Sequence, residues 1–287
     1  MGAIITLDEA VCHSNNLSRA FARYRQYRGL WVPGIPMSAV QAAPVGPMLK
    51  LAEELRTGRY RPYPPHTISI AKANGERREL KVFTIRDRVA QRALLQVLQS
   101  CTEQMMSPFS YGYRPGRGVA QALGKVREFL AGGLTWVLDA DIERCFDHIP
   151  LQALLDQVAY RLGDPAAADW VARCMDWQDA RSCAEVGIPQ GAVLSPWLCN
   201  VYMWQLDDRM RQSTIAMVRF ADDFVLLSAT RLLAERAWQC CADAVRSMRL
   251  RLHPLKTALI EASQPFRFLG QQVRLPRLLP PLLPEGG

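Results

Sequence analysis

The chain has 287 residues and a mass of 32.3 kDa, which is enough to bury a substantial core in one large domain or two ordinary ones. A formal net charge of +8 and a pI near 9.2 favour an anionic partner such as nucleic acid, although charge alone does not identify it. The eight cysteines form no C-x-x-C pair, so a zinc finger and a disulfide framework are disfavoured. Nowhere do 18 apolar residues run together, so a membrane partner is disfavoured and a cytoplasmic protein is predicted.

The first half of the chain alternates between helical and strand-like patterns. Residues 1–40 are mixed and are predicted to be an N-terminal extension, after which Ser38 to Arg56 carries apolar residues at helical spacing. His66 to Ile70 alternates like a strand, an Asn-Gly turn follows, and Glu79 to Phe83 is predicted to be the returning strand of a hairpin. The helical pattern resumes from Arg86 to Gln104.

The second half begins with a short apolar strand, Thr135 to Ala140, that runs into acidic residues. Three helices are predicted next, at Leu151 to Arg161, Ala166 to Trp177 and Leu194 to Arg211, the last one preceded by a Gly-Ile-Pro-Gln-Gly loop. Interleaved strands and helices of this kind predict an α+β fold in which an antiparallel sheet is backed by helices.

Two apolar strands, Ile215 to Phe220 and Phe224 to Ser228, follow with two aspartates between them, which predicts a hairpin with acids at its tip. A helix from Arg231 to Arg251 and short strands at Thr257 to Ile260 and Phe266 to Val273 come after it. The Pro/Leu-rich residues 274–287 cannot form a regular helix and are predicted to be a tail.

Asp141, Asp222 and Asp223 are the strongest candidates for chemistry. Asp141 follows a buried strand and the other two occupy a hairpin tip, so the three could converge on one sheet edge. Magnesium prefers oxygen ligands and uses few protein carboxylates, and two such ions can activate a hydroxyl and stabilise a departing pyrophosphate. The alternative is a solvated turn, where Asp is common.

Eight ordered segments resemble the conserved blocks of group II intron reverse transcriptases. They are K-A-N-G-E-R-R-E-L (72–80), I-R-D-R-V-A-Q (85–91), S-Y-G-Y-R-P-G-R-G (110–118), V-L-D-A-D-I-E-R-C-F-D-H-I (137–149), G-I-P-Q-G-A-V-L-S-P (187–196), R-F-A-D-D-F-V-L-L (219–227), L-H-P-L-K-T (252–257) and F-R-F-L-G (266–270). The resemblance covers roughly residues 66–273 and is far more specific than one acidic pair.

The resemblance implies a right-hand polymerase with fingers at 41–135 and a palm at 136–273, acting as an RNA-directed DNA polymerase. Its partners would be an RNA template, a DNA or RNA primer and deoxynucleoside triphosphates. Asp141, Asp222 and Asp223 would hold two Mg²⁺ ions, with Mn²⁺ as a substitute.

The resemblance also implies nucleotide and template contacts. Lys72 and Arg78 would reach the triphosphate, Phe146 would exclude a 2′-hydroxyl, Gln190 and Gly191 would line the nucleotide pocket, Arg114 and Arg117 would meet template phosphates, and Lys256 would support the palm. The alternatives are a core aromatic for Phe146, a solvated basic face for the residues around Lys72 and Arg78, and a surface lysine for Lys256. Asp139 and Asp147 are left out of the metal site.

The chain departs from the family pattern in three places, one of which is the stretch G-L-W-V-P-G-I-P (29–36), where the family usually has a G-x-D-G turn. Phe220 stands where the family usually has Tyr, which puts fidelity or nucleotide preference in doubt. Only 17 residues follow Gly270, too few for a helical thumb. We therefore expect a thumb from a second protein, a shortened product or a thumbless enzyme, in a CRISPR-associated or phage-defence relative.

Two functions compete with templated synthesis. One is a non-catalytic nucleic-acid-binding assembly subunit, against which the intact acids argue. The other is untemplated or protein-primed DNA synthesis on the same palm, which would make product without added template.

Overall fold

The computed structural model describes residues 5–71, 75, 77–176 and 186–274. Lys72, most of the Pro/Leu-rich tail and the end of the predicted helix at 166–177 lie outside these residues. The chain forms two compact units, each built from two stretches: residues 1–106 with 144–202, and residues 107–143 with 203–287.

The elements are numbered in chain order. The helices of the described residues are α1 (Leu7–Cys12), α2 (Ser14–Ala22), α3 (Met37–Ala42), α4 (Val45–Arg56), α5 (Ile85–Thr102), α6 (Val119–Ala131), α7 (Cys145–His148), α8 (Leu151–Leu162), α9 (Pro165–Met175), α10 (Ser195–Gln212) and α11 (Arg231–Ser247). The strands are β1 (Leu30–Val32), β2 (Ile35–Pro36), β3 (His66–Ala71), β4 (Arg77–Val82), β5 (Trp136–Asp141), β6 (Ala216–Phe220), β7 (Asp223–Ser228), β8 (Ala258–Glu261), β9 (Phe266–Phe268) and β10 (Gln271–Val273).

Helix α5 is the centre of the first unit. Its apolar side chains Val89, Ala93 and Leu94 are fully buried, and α1, α2, α4, α8 and α9 pack around it. The Thr84 side chain caps the helix by accepting from the Asp87 N–H. Asp87 is itself buried, and it accepts a hydrogen bond from the Tyr60 hydroxyl. The helix is therefore fixed at its N-terminus as well as along its apolar face.

The second unit is built on a four-stranded antiparallel sheet with the order β6-β7-β5-β8. Buried side chains of β5 and β7, including Val137, Val225 and Leu227, share a core with Leu123 and Val126 of α6. Helix α11 also packs on β5 and β7. Two of the sheet's central strands are therefore held by helices, and they are the strands that end in acids.

The predicted α+β class with an antiparallel sheet is confirmed. The helix predicted from Ser38 to Arg56 is wrong in one respect: it is two helices, α3 and α4, separated at Ala43 and Pro44. A proline disfavours the helical conformation in the residue before it, and Ala43 has φ −141°. The last predicted strand is likewise a hairpin of β9 and β10.

Helices α1, α2 and α6 were not predicted, and α11 ends at Ser247 rather than at Arg251. Within the ranges that the structure covers, no helix combines the length and the hydropathy that crossing a bilayer requires.

Candidate active site

One face of the β5–β7 pair changes from apolar to acidic along its length. On that face Val137 lies opposite Leu227, Asp139 opposite Val225, and Asp141 opposite Asp223. Directly opposed residues of antiparallel strands have Cβ atoms about 4.5–5.5 Å apart, and like charges in such a pair destabilise the sheet. The register therefore brings Asp141 and Asp223 together, as the sequence predicted.

Asp222 lies beside this pair in a tight turn. Phe220 pairs with Asp223, so Ala221 and Asp222 form the two-residue connection between β6 and β7. Ala221 has φ +62°, which is uncommon for a residue with a side chain and is required at one or both central positions of the tight hairpin turns. The turn conformation therefore depends on contacts that hold Ala221 in place.

The segment around Gly112 is one of those contacts. Its backbone runs beside β6: the Tyr111 N–H donates to the Arg219 carbonyl (2.8 Å) and the Arg219 N–H donates to the Phe109 carbonyl (2.9 Å). A Cβ on Gly112 would lie 2.4 Å from the Ala221 nitrogen, far inside van der Waals contact. Only glycine allows this approach, so the turn is packed directly against the Tyr-Gly-Tyr segment.

Lys256 contacts Asp141 from the turn that follows α11. The His253 N–H donates to the Asp141 carbonyl (2.8 Å), and the Lys256 N–H donates to the His253 carbonyl (3.2 Å). This turn places the Lys256 ammonium on the Asp141 carboxylate, where the two form an ion pair. The Lys256 pKa is raised, chiefly because its side chain donates a hydrogen bond to Asp141.

Burial and nearby negative charges raise the pKa of two carboxyl groups on this face, Asp223 and Asp139. Burial, followed by the charges of Asp139, Asp141 and Asp222, raises the pKa of Asp223 to about 7, while the charge of Lys256 opposes these effects. Burial, followed by the Asp141 charge, raises the pKa of Asp139 to about 6. A divalent cation would relieve this repulsion, and an all-carboxylate donor set suits Mg²⁺ or Mn²⁺.

The side chains are not arranged as a complete ligand set. Across the parts of the chain described above, no group of three His, Cys, Asp or Glu side chains is placed to hold a metal ion. One Asp141 oxygen is instead taken by Lys256. The donor chemistry therefore fits a cation, and Lys256 lies on one of the oxygens that would bind it.

The predicted nucleotide residues other than Lys72 lie in the first unit. The Lys81 N–H of β4 donates to the Gln190 carbonyl (2.7 Å), which ties the hairpin β3–β4 to the Gly-Ile-Pro-Gln-Gly loop. Gly191 has φ +107°, and a Cβ there would lie 2.5 Å from the Lys81 carbonyl oxygen. Glycine is thus required at 191 by the neighbouring strand. The exposed Arg78 lies on β4, opposite Ile70 of β3.

Phe146 is joined to the same loop. The Ile188 N–H donates to the Phe146 carbonyl (2.7 Å), and the Gln190 side chain donates to Asp147 (3.1 Å). Phe146 itself is only partly buried. The structure therefore joins the segment of Phe146 and Asp147 by hydrogen bonds to the loop that carries Gln190 and Gly191.

The two predicted template residues differ in their surroundings. Arg114 is 6% exposed, and its Nη1 donates to the carbonyls of Ser107 (2.5 Å) and Ser110 (2.8 Å). Arg117 is less buried, donates to the Pro108 carbonyl (2.6 Å) and stacks over Tyr111. Both arginines brace the segment that supports the acidic turn, and their template contacts stay predictions.

Sequence reasoning missed Gly112, Arg219 and Asp207. Arg219 and Asp207 form a buried ion pair behind the acidic turn. A lone arginine inside the otherwise apolar strand Ala-Met-Val-Arg-Phe was the available signal, because a charged residue in a buried strand needs a partner.

Comparison with known proteins matches the chain to one family. The family model for "Reverse transcriptase (RNA-dependent DNA polymerase)" matches residues 70–273, more than half of the chain. Protein YkfC of Escherichia coli is 28% identical over 84% of this chain and 75% of its own length. Group II intron-encoded protein LtrA of Lactococcus lactis is 32% identical over 55% of this chain and 27% of its own length. The chain thus spans about a quarter of the LtrA protein.

Solved structures show the same fold at low sequence identity. Telomerase from Candida albicans gives a TM-score of 0.58 at 13% identity, covering 84% of this chain and 49% of that one. A chain of a partial Cas6-RT-Cas1–Cas2 complex gives 0.50 at 21% identity, covering 85% of this chain and 43% of that one.

Proposed function

The chain belongs to the reverse transcriptase (RNA-dependent DNA polymerase) family, and from that premise we propose that it adds deoxynucleotides to a primer on an RNA template by a two-metal-ion mechanism. The observation that carries the proposal is the pairing of Asp141 with Asp223 beside the turn that holds Asp222. Three partly desolvated carboxylates on one sheet edge have little use in folding, and they suit the metal site of a polymerase.

The chain's own residues would divide the work of the reaction. Asp141, Asp222 and Asp223 hold the metal ions, which when bound favour deprotonation of the primer hydroxyl and neutralise charge on the departing pyrophosphate. Lys256, which forms an ion pair with Asp141, would help to offset the negative charge of the three carboxylates.

The nucleotide would be selected by the assembly in the first unit. Gln190 and Gly191 line the pocket, and Phe146 excludes a ribose 2′-hydroxyl by its bulk. Arg78, and Lys72 outside the described residues, would stabilise charge on the triphosphate. The hydrogen bonds of this loop to Lys81 and Phe146 support the proposal, because a preorganised pocket selects better than a loose one.

The wider context is also proposed. A CRISPR-associated or phage-defence setting, a second protein that supplies a thumb and a cytoplasmic location all stay predictions. A non-catalytic assembly subunit is less well supported, because such a protein would have no need to keep three repelling carboxylates together.

Primer extension on an RNA template with Mg²⁺ and deoxynucleotides tests the function. The native chain should make template-dependent DNA, and Asp222→Asn should abolish synthesis. Asp243→Asn is the matched control, because Asp243 is an exposed acid of α11 paired with Arg246 on the surface. Tight RNA binding without product would favour the assembly subunit, and product without template would favour untemplated synthesis.

A further inference from the structure

Arg219 is a fully buried cation inside the sheet that carries the acids. Arg219 is 1% exposed. It lies on β6, where the other residues are apolar. Two of its guanidinium nitrogens bind both oxygens of Asp207: Nε donates to one (2.7 Å) and Nη2 to the other (2.6 Å). Asp207 belongs to α10, so this bidentate pair fixes β6 to that helix.

A third guanidinium nitrogen reaches the acidic turn. Nη1 of Arg219 donates to the Ala221 carbonyl (2.8 Å), directly before Asp222. Ala221 is the residue with φ +62°, a conformation that costs a residue with a side chain free energy unless its surroundings hold it. The hydrogen bond acts on the same peptide whose conformation decides where Asp222 and Asp223 point.

The geometry of this contact needs arginine. A planar guanidinium can hold a carboxylate with one edge and a carbonyl with another, all in one fixed fork. The ammonium of lysine is a single point charge and cannot reproduce both contacts at their present positions. Asp207 neutralises the buried cation, so the Ala221 contact is made by a group whose position is already fixed.

We propose that Arg219 is a positioning residue for the metal site, which sets the placement of Asp222 and Asp223 through the Ala221 carbonyl while Asp207 fixes its own orientation. The inference rests on the proposed function, since it assumes that these acids bind metal. Arg219 is 1% exposed, so it would act through the turn rather than by contacting metal or substrate. Removing it should loosen the acidic turn and weaken metal affinity by about ten-fold or more, as loss of groups that orient metal ligands commonly does.

The test measures metal binding directly. Electron paramagnetic resonance of free Mn²⁺ gives the dissociation constant of the full-length chain with an RNA template and a dideoxy-terminated primer. Arg219→Lys and Arg219→Met are compared with native chain and with Arg86→Met. Arg86 is the matched control, because it is also a buried arginine paired with acids, Asp87 and Glu54, on elements of the first unit.

Weaker Mn²⁺ binding in the Arg219 variants, with native affinity in Arg86→Met, supports the proposal, as does a raised Mg²⁺ concentration for half-maximal synthesis. Native Mn²⁺ affinity in a folded Arg219→Lys chain overturns it. Equal weakening in Arg86→Met, or failure of both Arg219 variants to fold, also overturns it, because Arg219 would then act on the fold alone. If the native chain binds Mn²⁺ but makes no DNA, the proposed function fails and the binding comparison still decides the role of Arg219.

Discussion

Replacing Gly112 by alanine tests whether the acidic turn is positioned by direct backbone packing. The added Cβ would lie 2.4 Å from the Ala221 nitrogen and 2.9 Å from the Phe220 carbonyl carbon. Both neighbours are backbone atoms of the turn that precedes Asp222, so they cannot swing aside as the end of a flexible side chain would. The turn and the Gly112 segment must separate.

The size of the effect follows from these distances. Ordinary contact begins near 3.4 Å, so the turn must shift by about 1 Å, and a displacement of that size at a catalytic group can cost about 100-fold in rate. Overpacking of this kind costs about 1–3 kcal/mol of stability. We therefore expect Gly112→Ala to fold, to lose about 100-fold in kcat and to keep its KM for deoxynucleotides nearly unchanged.

Steady-state primer extension and urea unfolding measure the two effects. Gly124→Ala is the control: Gly124 lies in α6 with no heavy atom within 4 Å of the added Cβ, and the change should stabilise the helix by about 0.5–1 kcal/mol with native activity. A Gly112→Ala chain with native kcat would refute the reasoning, because the turn would then tolerate the separation.

Three further predictions concern other parts of the site. The pKa of Asp223, about 7 when folded, lies above the value of an unfolded Asp near 3.9, so the metal-free chain should lose stability as pH rises from about 4 to about 7. Urea unfolding at pH 5 and pH 8 checks this, and an equal fall in Asp223→Asn would contradict it. Gly191→Ala should raise the KM for deoxynucleotides more than it lowers kcat, because φ +107° and the Lys81 carbonyl both oppose a Cβ; unchanged kinetics would contradict it. Arg117→Ala should weaken template binding and lower by about 1 the slope of the logarithm of the binding constant against the logarithm of the salt concentration. Arg114→Ala should instead lower the melting temperature, and the reverse pattern would make Arg114 the template contact.

The acidic hairpin could be predicted because its signals are local. Two short apolar runs with acids between them, Ile215 to Phe220 and Phe224 to Ser228, predict two strands and a tip, and the structure has β6 and β7 there. Helix α6 was not predicted although its apolar residues are buried, because Gly124 within it and the glycines at both of its ends weaken the helical signal of the sequence.

The supports of the site could not be predicted in the same way. The pairing of β5 with β7, and hence the opposition of Asp141 and Asp223, joins residues that are far apart in sequence. A positive charge also does not reveal whether its side chain is buried. The resemblance implies a template contact for Arg114, and its burial and its hydrogen bonds to two carbonyls could not be predicted from the sequence.

The energetics of the sheet explain why these acids indicate a function. The face that begins with the apolar pair Val137 and Leu227 would be more stable if apolar residues continued to its end. It ends instead in Asp141 facing Asp223, where burial and then the neighbouring carboxylate charges raise the pKa of Asp223 and Lys256 only partly opposes them. A local conflict with folding of this kind is expected at functional sites. One lysine cannot neutralise three carboxylates, and the divalent cations that we propose would supply the remaining positive charge.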